Sequence, residues 1–197
     1  MPSNNAISHE ERLSRMQLSL SENIGPAIYL QLMEVYGSAE NALLALPDIA
    51  ARSNAPKRIK LHSRDQARQY LENTLAEGGT VITLGEPDYP ALLAEITTTP
   101  PVLYVSGQAS ALNQPCCGIV GSRNSSANGK RFAREIAADL ATAGWMTVSG
   151  LARGIDSAAH EASLNTGTVG VIATGLDISY PVENAGYSVK SVNWVAW

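Results

Sequence analysis

The sequence predicts an α/β protein: a Rossmann-like, mostly parallel sheet preceded by a small all-helical domain. Up to Gly78-Gly79 the apolar residues recur at helical spacing, and beyond that pair short β-rich runs alternate with helical stretches. The connections between the runs are short, which implies right-handed crossovers and a sheet covered on both faces. Runs also end in glycine-containing loops at Gly121-Ser-Arg, Ser149-Gly-Leu-Ala-Arg-Gly154 and Thr174-Gly-Leu-Asp177, which a parallel sheet brings to one edge. The expected domains are residues 1–78, helical with a basic connector, 79–184, Rossmann-like, and 185–197, a tail without assigned structure.

In order, Glu10 to Ser19 reads as a helix, with Leu13, Met16, Leu18 and Leu20 as its apolar residues at mixed spacing. A second helix starts at Pro26, which suits a first helical turn, and stops at Gly37, with Ile28, Leu32, Val35 and Tyr36 as its apolar stripe. Ser38 caps a short third helix that Pro47 is expected to close after Leu46. Two short helices around an Ile-Gly turn resemble a helix-hairpin-helix or sterile-alpha-motif-like module. Residues 50–64 form a polar, basic connector, and Ser63 caps a helix to Glu77 with Ala67, Tyr70, Leu71 and Leu75 on its apolar side. Strands are expected at Thr80–Leu84, Val102–Val105, Gly118–Val120, Met146–Ser149 and Val169–Ala173. Helices are expected from Ala91, over Ala127–Ala143 and over Ile155–Leu164, with Trp145 packed under the sheet.

Apolar residues make up 45% of the chain, ordinary for a soluble globular protein with a sizeable core. No apolar run approaches the roughly 18 residues of a membrane helix. The opening residues lack the basic start and apolar centre of a signal peptide, so a cytoplasmic protein without a membrane partner is expected. Cys116 and Cys117 are adjacent in a strand, with no further ligands at metal spacing, so no metal site and no disulfide are expected. The net charge of -4 argues against a generally sticky polyanion binder, but the charge is segmented. One basic island holds Arg52, Lys57, Arg58, Lys60, Arg64 and Arg68 against Asp65; a second holds Arg123, Lys130, Arg131, Arg134 and Arg153 against Glu135, Asp139 and Asp156. Either these are solvated faces, or they are where phosphates of a nucleic acid would be neutralised.

The loop Gly121-Ser122-Arg123-Asn124-Ser125, with the positive end of the helix that follows, forms a seat for a phosphate or another anion. Lys130, Arg131 and Arg134 fall early in that helix, where cations are disfavoured by roughly 0.3–1 kcal/mol each. They point to water, or an anion lies between them and the helix end; Arg123 faces that anion or pairs with a carboxylate such as Asp156. Ser149, Gly150, Arg153 and Gly154 offer a second anion seat, and Asp156 a helix cap. Asp156 and His160, four apart, share a helix face and invite an acid/base or metal reading. No third ligand joins them and no Gly-x-Ser-x-Gly elbow is present, so the alternative is a cap and a surface or half-buried histidine. The dinucleotide and P-loop fingerprints are missing, so no cofactor is expected. Phe132 is the only phenylalanine, and platforms for base stacking are scarce.

The segments Gly118-Ile-Val-Gly121-Ser122-Arg123, Val148-Ser-Gly-Leu-Ala-Arg-Gly-Ile-Asp-Ser-Ala-Ala-His160, Gly170-Val-Ile-Ala-Thr-Gly-Leu-Asp177 and Tyr180-Pro-Val-Glu-Asn184, in this order and spacing, resemble the DNA-processing protein A family (DprA, also called Smf). The resemblance covers about residues 10–184, with Asp88-Tyr89-Pro90 and Pro100-Pro101-Val-Leu-Tyr104 included. It implies a non-enzymatic protein that binds and protects single-stranded DNA. It also implies that the protein helps load RecA recombinase in the presence of single-strand-binding protein during natural transformation, and forms a homodimer. The family's Gly-Ser-Arg motif lies in its DNA pocket, which implies Gly121, Ser122 and Arg123; Asn124, Ser125, Lys130, Ser149, Gly150, Arg153 and Gly154 join them through the expected adjacency of the loops. After Asn184 the chain departs from the family pattern, as a truncated or frameshifted product would, which bears on sheet closure and dimerisation. From the residues alone, the rival is an enzyme acting on a nucleotide or nucleoside phosphate, with Asp156 and His160 as acid and base.

Overall fold

The computed structural model describes residues 7–52, 59–173 and 193–196. The expected loop at 174–177, Lys57 and Arg58 of the first basic island, the segment up to residue 192 and Trp197 lie outside the described residues. The chain divides into two compact units, Met1–Glu77 with Val81–Leu103, and Gly78–Thr80 with Tyr104–Trp197.

The first unit contains α1 (His9–Leu20), α2 (Pro26–Tyr36), α3 (Ala39–Arg52) and α4 (Arg64–Ala76). Local chemistry sets their starts: Ser8, Ser38 and Ser63 accept the N–H groups of Glu11, Asn41 and Gln66, and α2 opens on Pro26. Gly37, at φ 75°, ends α2 in the left-handed conformation that glycine adopts without strain. Leu18, Ile24, Tyr29, Leu32, Ala42 and Leu46 are buried together. That burial explains why α3 continues through Pro47, where the sequence suggests a stop. The proline removes one hydrogen bond to the preceding turn, but the packed Ala42 and Leu46 hold the helix.

The faces of α2 and α4 also differ from expectation. Ile28 and Val35 are exposed while Tyr29 and Leu32 go inside; on α4, Tyr70 and Leu75 are exposed while Ala67, Leu71 and Thr74 are buried. Thr74 can go inside because its hydroxyl donates to the Tyr70 carbonyl at 2.8 Å, and Tyr70 stacks on His62 instead of entering the core. Three cations of the first basic island pair within this unit: Lys60 with Glu22, Arg64 with Glu10 and Arg68 with Asp65. Several further polar links of this unit run from α1. Arg12 pairs with Glu86, and Arg15 donates to Glu11, to the Thr83 hydroxyl at 3.0 Å and to the Leu84 carbonyl at 2.9 Å.

Strands β1 (Thr80–Thr83) and β2 (Val102–Ser106) flank a one-turn α5 (Ala91–Ala94); β3 (Cys116–Gly118), α6 (Ala127–Thr142), β4 (Met146–Ser149), α7 (Ile155–Ser163), β5 (Thr168–Ile172) and β6 (Asn193–Ala196) follow. The sheet order is β1-β2-β6-β5-β4-β3. From β3 through β6 the strands are parallel, in the register Cys117↔Thr147↔Thr168 across β3, β4 and β5, and β2 joins β6 antiparallel. The α/β class with a preceding helical module is therefore as expected.

Three details of the sheet are corrected. The tail, to which the sequence assigns no element, supplies β6, whose Val195 and Ala196 are each 5% exposed between β5 and β2. β3 lies earlier than expected because the ladder stops before the apolar run does, leaving Val120 exposed. Trp145 is 45% exposed: its N–H closes the last turn of α6 on the Leu140 carbonyl, so it sits at a helix–strand turn and not beneath the sheet. Helices α6 and α7 pack against each other, with the small residues Ala133 and Ala137 buried on one and Ala158 and Ala159 among those buried on the other. No described helix is long and apolar enough to cross a membrane.

Candidate functional site

Because β3 and β4 are parallel neighbours, the chain leaves both at the same sheet edge, and the loops that follow meet there. Their contact is backbone to backbone. Gly154 has φ 93° and ψ -119°, and a Cβ on it would stand 2.2 Å from the Ser122 carbonyl oxygen and 2.8 Å from that of Arg123. Only glycine fits. Gly121 is confined in the same way, since its Cβ would lie 2.7 Å from Cγ1 of Ile155. Hydrogen bonds complete the junction. The Ile155 N–H donates to the Ser122 carbonyl at 3.3 Å, the Gly121 N–H donates to Asp156 Oδ1 at 3.2 Å, and the Ser149 hydroxyl donates to the Ile119 carbonyl at 2.6 Å.

The expected adjacency of the Gly121 and Ser149 loops is thus present, but several residues take different parts. Ser149 is buried and its hydroxyl proton goes to Ile119, so it ties the loops together instead of facing a ligand. Gly150 backs onto Asp156, whose Oδ2 would lie 3.1 Å from an added Cβ. Asp156 does not cap α7, because the capping position is Gly154. Its carboxylate sits in the first turn of α7 and is 5% exposed, so the protein's own negative charge already complements that helix end. The second anion seat expected from sequence is filled from within. Arg153 is exposed on the turn that leads into α7.

The end of α6 is different. Ser126 caps it, accepting the Gly129 N–H at 3.1 Å, and no acidic residue stands in its first turn. Gly121, Ser122, Arg123 and Asn124 are exposed, and the Ser122 hydroxyl accepts the Asn124 N–H at 3.2 Å. Among the described residues, the backbone N–H groups of Ser122, Arg123 and Ser125 meet no acceptor. Ser125 Oγ is sealed from solvent and has no hydrogen-bond partner. The cations divide into two groups. Arg134 reaches across to Glu161 of α7 through Nε at 3.1 Å and Nη2 at 2.7 Å, and Arg131 lies 3.9 Å from Glu135. Arg123 and Lys130 enter no ion pair among the described residues, and Asp156, the carboxylate considered for Arg123, is turned to Gly121.

His160 is fully buried, which corrects the expectation of a surface or half-buried ring. Its Nδ1 lies 2.8 Å from Thr168 Oγ1, and that hydroxyl donates onward to the Thr147 carbonyl at 3.1 Å. Both ring nitrogens are thus sealed inside the protein, Nδ1 against the Thr168 hydroxyl and Nε2 out of reach of solvent. Burial lowers the histidine pKa to about 4, although Asp156 and the Ser149 backbone pull it upward. With His160 sealed and Asp156 tied to Gly121, the pair cannot meet a substrate as acid and base. Among the described residues, no group of three metal-ligating side chains occurs. The sequence alone did not mark Asp156 as the link between the loops; the available signal was an acid two residues after the loop glycine Gly154.

Family models match most of the chain: one described as DNA recombination-mediator protein A over residues 80–193, and a DprA-like N-terminal HHH domain over residues 9–72. Protein Smf of Synechocystis sp. is 33% identical over 190 residues, covering 90% of this chain and 48% of that protein. DNA processing protein DprA of Bacillus subtilis is 39% identical over 111 residues, covering 55% of this chain and 37% of that protein. The chain therefore spans about half, or less, of the length of these relatives. Among solved structures, the X-ray structure of DNA processing protein A from Streptococcus pneumoniae aligns with a TM-score of 0.67 at 27% identity, covering 98% of this chain and 68% of that one. DNA processing protein A from Helicobacter pylori, whose structure is described for its single-stranded DNA binding mode, aligns with a TM-score of 0.53 at 27% identity over 59% of this chain and 54% of that one. With the helical module and the sheet each matched in its proper place, the chain belongs to the DNA recombination-mediator protein A (DprA/Smf) family.

Proposed function

We propose that this chain binds single-stranded DNA through its phosphates, without reading the bases, at the loop Gly121–Ser125 and the start of α6, and that it acts there as a non-catalytic recombination mediator. One observation carries the reading: unsatisfied N–H groups, a helix N-terminus without an acid, and two unpaired cations, Arg123 and Lys130, occur together. A phosphate answers each of these at once. The N–H groups of Ser122, Arg123 and Ser125 donate to phosphate oxygens, Asn124 and Ser122 supply further polar contacts, and Arg123 offers a bidentate fork. Lys130 and the neighbouring Arg153 add point charge, Gly121, Gly150 and Gly154 let the backbones approach, and Ser149 holds the loops together.

The Helicobacter pylori relative's described binding of single-stranded DNA supports this choice of ligand. Protection of incoming DNA, loading of RecA recombinase alongside single-strand-binding protein, assembly as a homodimer and a cytoplasmic location extend the proposal on the strength of family membership. The rival enzyme reading loses its acid/base pair to burial. Arg123→Ala is expected to weaken binding of a labelled oligonucleotide by about tenfold, equally for all sequences, and to reduce the salt-dependence slope by about one. Unchanged affinity in that variant would remove Arg123 from the site.

A further inference from the structure

Resting on that reading, we propose that Asp156 is a positioning residue for DNA binding: its carboxylate, lodged between Gly121 and Gly150, holds the Gly121–Arg123 loop in the shape that presents Arg123 to a phosphate. One oxygen accepts the Gly121 N–H at 3.2 Å, and the other lies against the backbone of Gly150, 3.1 Å from where a Cβ would stand. The side chain is 5% exposed and rises from the first turn of α7, so its own position is set by that helix. Helix α7 is in turn tied to α6 by Arg134 and Glu161. Gly121 is two residues from Arg123, and the carbonyl of the intervening Ser122 is held by the Ile155 N–H. The loop is therefore gripped from one side only, by α7 and the turn before it, while its exposed side carries Arg123.

The charge makes this assignment testable by sign. A carboxylate beside a phosphate seat repels DNA, so if charge were its whole influence, its removal would tighten binding. A positioning role requires the opposite: losing the acceptor frees the Gly121 amide, lets the loop sample other shapes and weakens binding. Asp156→Asn separates the effects, because an amide oxygen still accepts from Gly121 while the charge is gone.

The experiment measures oligothymidylate affinity of the whole chain carrying Asp156→Ala, Asp156→Asn, Arg123→Ala and the Asp156→Ala/Arg123→Ala pair, together with hydrogen exchange at the Gly121 amide. Asp156→Ala is expected to bind about tenfold more weakly and Asp156→Asn within about threefold of the parent. Because Asp156 acts in large part through Arg123, its loss is expected to change affinity clearly less once the Arg123 side chain is absent. Gly121 exchange accelerates in Asp156→Ala. Should that variant not fold, Asp156→Ser, whose side chain is too short to reach Gly121, replaces it. Equal or tighter binding by the alanine variant overturns the proposal, as does an undiminished effect in the Arg123→Ala background. Unchanged Gly121 exchange overturns it independently of any DNA. If Arg123→Ala binds like the parent, the DNA reading fails, while faster Gly121 exchange still supports the grip on the loop.

Discussion

Gly154→Ala is expected to destabilise the second unit by about 3 kcal/mol or more and to lower DNA affinity at least about tenfold. Two costs act together. At φ 93° and ψ -119° a side chain is strained whatever surrounds it, and the new methyl would stand 2.2 Å from the Ser122 carbonyl oxygen. That oxygen cannot withdraw cheaply, because it accepts the Ile155 N–H while the adjacent Gly121 is bonded to Asp156. Moving it means separating the loops that form the site. Gly129→Ala is the matched control: it lies inside α6, where the nearest atoms to an added Cβ are 3.5 Å away. There the same methyl is expected to stabilise by about 0.5–1 kcal/mol. Urea midpoints of both variants near neutral pH give the comparison, and a harmless Gly154→Ala would show that the loop contact is not tight.

Acid is expected to unfold the second unit through His160. The folded pKa, about 4, lies below the unfolded value near 6.5, so above 6.5 both states hold a neutral ring and nothing is lost. As pH falls below 6.5 the unfolded chain takes up the proton first. Stability then declines until pH approaches 4, where the buried ring also protonates. The shift corresponds to about 3 kcal/mol. Since carboxylates titrate in the lower part of the same range, the informative quantity is the difference between the parent and His160→Met. The variant is expected to show a flatter stability profile between pH 6.5 and 4, whatever its stability at pH 8. Parallel profiles would mean that the ring takes up its proton as readily in the folded protein as in the unfolded chain.

What could be read in advance was mostly what neighbours in sequence decide. Ser63 caps α4, Gly37 ends α2, and α6 and α7 begin at Ala127 and Ile155 because caps and glycines act over a few residues. The loops after β3 and β4 were legible as neighbours, since alternation of strand and helix implies the parallel pairing that brings them together. Decisions made by distant parts of the chain were not legible. Pro47 stays helical because Ala42 and Leu46 are buried, and Tyr70 turns outward to His62. A short run near the end of the chain pairs with both β2 and β5, which nothing within the run itself announces.

The site followed the same division. Glycines at 121, 150 and 154 marked flexible strand-end loops, but which backbone each one meets depends on the fold. Ser149 and Asp156 looked like donors and caps from their types; in place they hold the loops to each other. His160 shares a helix face with Asp156, yet that face turns toward β4 and β5, through Thr168 and the Thr147 carbonyl, and away from water. Arg123 and Lys130 were legible as candidates from sequence, but that Arg131 and Arg134 have carboxylate partners while these two enter no described ion pair depended on the fold.

Titrating the nitrogen-15-labelled chain with a short oligothymidylate, and following the backbone amides, tests the central claim most directly. The account expects the largest shifts at Ser122, Arg123, Asn124, Ser125 and the first turn of α6, lost as salt is raised. An oligonucleotide that binds while these amides stay unmoved, with the shifts confined to α1 through α4, would contradict it.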